Sequence, residues 1–144
     1  MSVSNKSWVN KYSPTRLIDV KGNFTAVKTM ESWLDSYPNV QEKALLLAGP
    51  PGTGKTSSVY AYAKEKGYEV IEFNASDTRN KDVVETDFYK ALTELSLITL
   101  DKKKIVLLDE VDGMSGTYDR GGVAALLKVL DSSAFPVIMT CNDL

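Results

Sequence analysis

Two hydrophobic rhythms take turns along this chain. Residues 23–37 carry Phe24, Val27, Trp33, Leu34 and Tyr37 at roughly helical spacing, which predicts an amphipathic helix with Asn23 or Thr25 as its cap. The run Ala44-Leu45-Leu46-Leu47-Ala48 reads as a buried strand. Lys55–Lys66 predicts a helix closed by Gly67, where a left-handed residue is wanted. Tyr68–Phe73, with Val70, Ile71 and Phe73, predicts a second strand. The capping cluster Asn74-Ala75-Ser76-Asp77 leads into a helix over about residues 80–98. Lys104–Leu108 is a third strand. Gly121–Asp131 is a helix with Val123, Leu126, Leu127 and Leu130 on one face, and Pro136–Cys141 is a fourth strand.

Four strands separated by helices imply a parallel sheet covered on both faces, a three-layer α/β fold. No repeat, low-complexity tract or linker interrupts the pattern, so residues 1–144 read as one domain. The sequence ends just after its fourth strand, where the order of elements predicts that more should follow.

Composition narrows the chemistry. The chain is 43% hydrophobic and 25% charged, as a globular domain is. Its longest apolar runs are too short for a membrane span, and the segment from Met1 to Ser7 has no apolar core. A cytoplasmic or nuclear location is therefore expected. The single cysteine, Cys141, excludes an internal disulfide and sits in an apolar run, as a small buried residue would. There is no histidine, which removes the commonest general base and transition-metal ligand. Acid–base work falls to carboxylates, lysine or tyrosine, and any metal should be a hard cation held by oxygen, such as Mg²⁺. A net charge of −2 offers no global attraction to nucleic acid, so any contact with it requires a local basic patch.

Three short segments carry specific chemistry. Gly49-Pro50-Pro51-Gly52-Thr53-Gly54-Lys55-Thr56 satisfies G-x₄-G-K-[ST], with a predicted strand before it and a predicted helix after it. Such a loop turns backbone N–H groups inward around an anion at a helix N-terminus. Lys55 would neutralise the β- and γ-phosphates of ATP or a related triphosphate, and the Thr56 hydroxyl would ligate Mg²⁺. The second segment, Lys104-Ile105-Val106-Leu107-Leu108-Asp109-Glu110, ends a buried strand on two acids, at the sheet edge where ligands of parallel sheets bind. Asp109 would hold Mg²⁺, directly or through water. Glu110 would orient and polarise an attacking water, which favours hydrolysis over transfer to another substrate. The third is Asn142, just past the fourth strand. Its amide could reach the γ-phosphate or the attacking water, and by position alone it reads equally as a turn residue before Asp143.

Together these segments resemble the nucleotide-binding half of an AAA+ ATPase, and more narrowly the large-subunit family of replication factor C. The resemblance runs from about Trp8 to Leu144. It rests on Trp8-Val9-Asn10-Lys11-Tyr12-Ser13-Pro14 with Gly22-Asn23, on Gly49–Thr56, and on Asn74-Ala75-Ser76-Asp77. Asp109-Glu110-Val111-Asp112-Gly113 and Asp119-Arg120-Gly121-Gly122 are typical of the large subunit, and Cys141-Asn142-Asp143 completes the set. The early start of the module fits an archaeal-type protein, which would be cytoplasmic; a eukaryotic one would be nuclear.

The resemblance implies roles. Residues 1–22 would be the adenine-pocket segment, with Lys11, Tyr12, Pro14 and the stretch to Val20 lining the adenine and ribose. Asn142 would sense the γ-phosphate, and Asn74 would restrain Glu110 until a partner is bound. Arg79, Lys81 and Arg120 would be candidates for DNA phosphate contacts. The Lys102-Lys103-Lys104 run reads instead as keeping a strand entrance soluble.

The implied partners are the small subunits of a hetero-oligomer, a sliding clamp of the PCNA type and primer-template DNA. The family also has a fifth strand, a helical lid and a collar, none of which lies within these 144 residues. Weak nucleotide affinity and little ATPase activity are accordingly expected of this segment by itself. Two other readings stay open at this point: a nucleotide-dependent switch without turnover, and an AAA+ remodeller of DNA junctions.

Overall fold

A computed structural model of the chain describes residues 13–74, 90, 103–114 and 130–143. Helix α1 spans Phe24–Ser36, β1 Ala44–Ala48, α2 Lys55–Lys66, β2 Glu69–Asn74, β3 Lys104–Asp109 and β4 Val137–Cys141. Of the expected helix over 80–98 only residue 90 is described, and it is helical; most of that over 121–131 lies outside the described residues, and positions 130–132 are helical.

Local chemistry explains the helix ends. Of the two cap candidates, Asn23 is the one used: its side-chain oxygen accepts the N–H of Ala26 at 3.1 Å. Thr25 lies inside the first turn, and its carbonyl accepts the Thr29 hydroxyl at 2.9 Å. At the far end of α2, Gly67 takes φ 76°, and the N–H of Tyr68 returns to the Ala63 carbonyl at 2.8 Å. That return draws Tyr68 out of the strand, so β2 begins at Glu69 rather than at Tyr68.

The strands lie in the order β1-β4-β3-β2, every neighbouring pair parallel. β3 is central, and Lys104 through Leu108 are all buried. Alternation then sorts the side chains onto two faces. Ile105, Leu107 and Ile138 pack with Met30, Trp33 and Leu34 of α1 and Val59, Tyr62 and Ala63 of α2. On the opposite face Val106 and Val137 meet Leu130, with Phe73 and Met139 against them. The helices and sheet of one layer pair are thus sewn by a continuous core, and Tyr62 adds a hydroxyl hydrogen bond to Asp35 of α1 at 2.8 Å.

Two expectations change. β1 is not fully buried: Leu45 and Leu47 pack inward, but Leu46 is 42% exposed. β1 ends the described sheet, and an apolar run alone does not distinguish an edge strand from a central one. Lys104 does not simply keep the strand entrance soluble. Its side chain is buried beside Glu69 at 3.7 Å, because β2 and β3 begin in register with Glu69 opposite Lys104. Lys103 is exposed, with its ammonium 5.4 Å from the centre of the Tyr68 ring.

Ahead of α1, Leu17–Asp19 forms a single 3₁₀ turn. Leu17 enters the core and donates its N–H to Glu65 of α2 at 3.0 Å. Among the described residues, no helix is long and apolar enough to cross a membrane.

Candidate functional site

The sheet edge at the C-terminal ends of β1, β3 and β4 gathers the chemistry. The N–H of Gly49 donates to the Cys141 carbonyl at 3.1 Å, which ties the start of the loop to the end of β4. The loop closes on itself through the Thr53 hydroxyl, which donates to the Pro50 carbonyl at 2.8 Å. Gly54 takes φ 82°, and a Cβ there would stand 3.4 Å from Val20 Cγ1. α2 then begins at once, with Ser58 N–H donating to the Gly54 carbonyl at 2.9 Å. The orphan N–H groups of the first helical turn therefore face the loop, together with the positive end of the helix dipole.

Lys55 lies across this cradle. Its ammonium donates to the carbonyls of Gly49 at 2.5 Å and Pro50 at 2.9 Å, and to Asn142 Oδ1 at 3.3 Å. Thr56 donates its hydroxyl to Asp109 Oδ1 at 2.9 Å, joining the head of α2 to the end of β3. Asn74 ends β2 in register with Asp109. These side chains converge because Asp109 continues the face of Ile105 and Leu107, while Asn142 continues that of Ile138. The stripe that is apolar under α2 becomes polar where the strands end.

Two residues to which sequence reasoning gave no role tie the site together, Thr140 at the acid pair and Asp112 at Asn142. The register pairing Leu108 with Met139 brings Asp109 and Thr140 side by side. The Thr140 hydroxyl donates to Asp109 Oδ1 and accepts the N–H of Glu110 at 3.0 Å. Glu110 itself adopts φ 57°, in the left-handed region that residues with a Cβ seldom occupy. Asp112 accepts the N–H of Asn142 at 3.2 Å, anchoring that amide's backbone. Nothing in the sequence around Thr140 marked it, because its partners are supplied only by the register of β3 and β4.

A cavity of about 280 Å³ opens among Gly52, Lys55, Thr56, Asp109, Glu110 and Asn142. Its donors suit an anion on the loop side and a hard cation at Thr56 and Asp109, both of which offer oxygen. Among the described residues no cluster of three or more His, Cys, Asp or Glu forms a metal cage. The two oxygen donors of Thr56 and Asp109 suit Mg²⁺, which keeps waters and phosphate oxygens and takes only one or two protein ligands.

The expected adenine segment divides around the head of α2. Val20 packs on Gly54, whereas Pro14 borders a separate groove with Thr56, Ser57 and Tyr60. In that groove, burial, the hydrogen bond to Glu72 and the charges of Glu72 and Asp109 hold the Tyr60 phenol well above its ordinary range. Lys11, Tyr12, Arg79, Lys81 and Arg120 lie outside the described residues.

Residues 45–144 match the ATPase family associated with various cellular activities (AAA). The replication factor C large subunit of Methanococcus maripaludis strain C7 is 49% identical over 139 residues, 96% of this chain and 28% of that protein. The protein of the same name from Thermofilum pendens is 44% identical over 94% of this chain and 33% of its own length. That from Methanoregula boonei is 42% identical over 95% of this chain and 28% of its own length. The chain therefore spans about a third or less of the curated relatives it matches.

Proposed function

Since the chain belongs to the AAA family of ATPases, we propose that it binds and hydrolyses ATP as the nucleotide-binding part of a clamp-loader large subunit. In that role it would work with small subunits to place a sliding clamp on primer-template DNA, in the cytoplasm of an archaeal-type cell. The observation that carries the catalytic part is the convergence of Lys55, Thr56, Asp109, Glu110 and Asn142 on one cavity. The names and archaeal sources of the similar proteins support the assembly, the clamp and the compartment.

Each side chain has a defined task in this reading. The loop N–H groups and Lys55 bind the β- and γ-phosphates, and the Asn142 amide, held through Lys55 and Asp112, contacts the γ-phosphate end. Thr56 and Asp109 would hold Mg²⁺. When bound, that ion neutralises charge on the phosphate oxygens. Glu110 orients a water and accepts its proton as the water oxygen bonds to the γ-phosphorus and the bond to the ADP oxygen breaks. Asn74, in register with Asp109, would restrain Glu110 before a partner arrives.

Glu110→Gln in the assembled complex tests the hydrolytic claim. ATP affinity should stay within about threefold of wild type while turnover falls about 100-fold or more. Turnover equal to wild type would remove Glu110 from the chemistry, and a wild-type complex that binds ATP without hydrolysing it would leave a nucleotide switch.

A further inference from the structure

We infer that Thr140 is a positioning residue for ATP hydrolysis, setting the carboxylate of Asp109 and the backbone of Glu110 through one hydroxyl. The inference rests on the hydrolytic reading of this site and adds a residue to it.

Three features carry it. First, Thr140 is almost wholly buried (1% exposed) in a strand whose other inward residues are apolar. A buried hydroxyl is costly unless its hydrogen bonds are made, so its presence calls for a polar reason. Second, both bonds go to the acid pair. The hydroxyl donates to Asp109 Oδ1, the same oxygen that accepts the Thr56 hydroxyl, and it accepts the N–H of Glu110. Two donors converging on one carboxylate oxygen restrict how that carboxylate can rotate. Third, Glu110 stands at φ 57°, a conformation that persists where surrounding contacts over-determine it. The bond from Glu110 N–H to Thr140 is one such contact. It lies where the backbone leaves the strand and sets the direction in which the Glu110 side chain departs.

The division of labour follows from geometry. Lys55 and the loop hold phosphate without help from Thr140, so nucleotide binding should depend on it little. Orientation of Glu110 and Asp109 matters most in the transition state, where small misplacements are expensive. Removal of the hydroxyl should therefore lower kcat and spare KM. Thr140→Val keeps the β-branched shape and a similar volume while deleting the hydroxyl. Thr140→Ser keeps the hydroxyl and deletes the methyl.

The experiment measures steady-state ATP hydrolysis by the full-length protein in its assembly, for wild type, Thr140→Val, Thr140→Ser and Glu110→Gln. For Thr140→Val, kcat should fall about 10- to 100-fold, as for other supporting-shell residues, with KM for ATP within about threefold. Thr140→Ser should return kcat to within about threefold of wild type. A purely structural role would instead lower stability in both variants and leave kcat of the folded fraction unchanged, which overturns the inference. So would Thr140→Ser being as slow as Thr140→Val. Should Thr140→Val fail to assemble, Thr140→Ala against Thr140→Ser makes the same comparison. If Glu110→Gln abolishes turnover and Thr140→Val does not, only the role of Thr140 falls. If Glu110→Gln hydrolyses like wild type, the hydrolytic reading falls first and this inference with it.

Discussion

At the scale of single residues, Lys55 and Glu110 divide the work differently. The Lys55 ammonium sits among the oxygens of Gly49, Pro50 and Asn142, at the junction of loop and β4. In the proposed reaction, replacing it with alanine would remove charge-assisted hydrogen bonds to phosphate, each worth roughly 1.5–3 kcal/mol. Lys55→Ala should thus weaken ATP affinity about tenfold to a hundredfold, as read by titration with a fluorescent analogue. Under the same proposal Glu110 makes no comparable demand on binding, so its variant should separate affinity from turnover. An equal loss of affinity in both variants would mean that Glu110 shapes the pocket rather than acting on water.

Elements owe their boundaries to terminal residues. Gly67 has open space where a Cβ would stand, so Gly67→Ala meets no clash and isolates the backbone cost of φ 76°. That substitution should destabilise the fold by about 1 kcal/mol, visible as a lower urea midpoint with an unchanged slope. Asn23→Ala removes the cap of α1 and should cost a similar ~1 kcal/mol. The two sites share no described contact, so the double variant should lose close to the sum. A stabilised Gly67→Ala would show that α2 does not end in the left-handed turn.

For the whole molecule, the raised phenols of Tyr37, Tyr60 and Tyr62 set the response to alkali. Burial first, then the hydrogen bond to Asp35, raises the Tyr62 phenol far above its ordinary value near 10, and burial raises Tyr37 as well. A group whose pKa is higher folded than unfolded holds its proton more tightly in the fold. Its stabilisation is complete below the unfolded pKa and is lost as pH climbs through the folded one. Denaturant midpoints should accordingly be level from neutrality to about pH 9 and fall above about pH 10. Tyr62→Phe should lower stability at neutral pH but flatten that fall. An unflattened decline would assign the alkaline loss to other groups.

Much of the site was legible because its parts are local. A phosphate loop needs glycines, a lysine and a hydroxyl at fixed spacing between strand and helix, and Gly49–Thr56 shows all of them in eight consecutive residues. Asp109 and Glu110 stood out as acids ending an apolar run, whereas Asn142 was even with a turn residue by position and was raised by the family resemblance. Ala44–Ala48 and Lys55–Lys66 begin and end where their periodicity and caps predict.

Strand neighbours are another matter, because pairing joins segments far apart and periodicity reports only which way a side chain points. Tertiary structure decided that β4 lies between β1 and β3, that Leu46 is exposed, and that Lys104 is buried beside Glu69. It also set Thr140 beside Asp109. A threonine in Val137–Cys141 carries no sign of its purpose until the register of β3 and β4 supplies the partners for its hydroxyl.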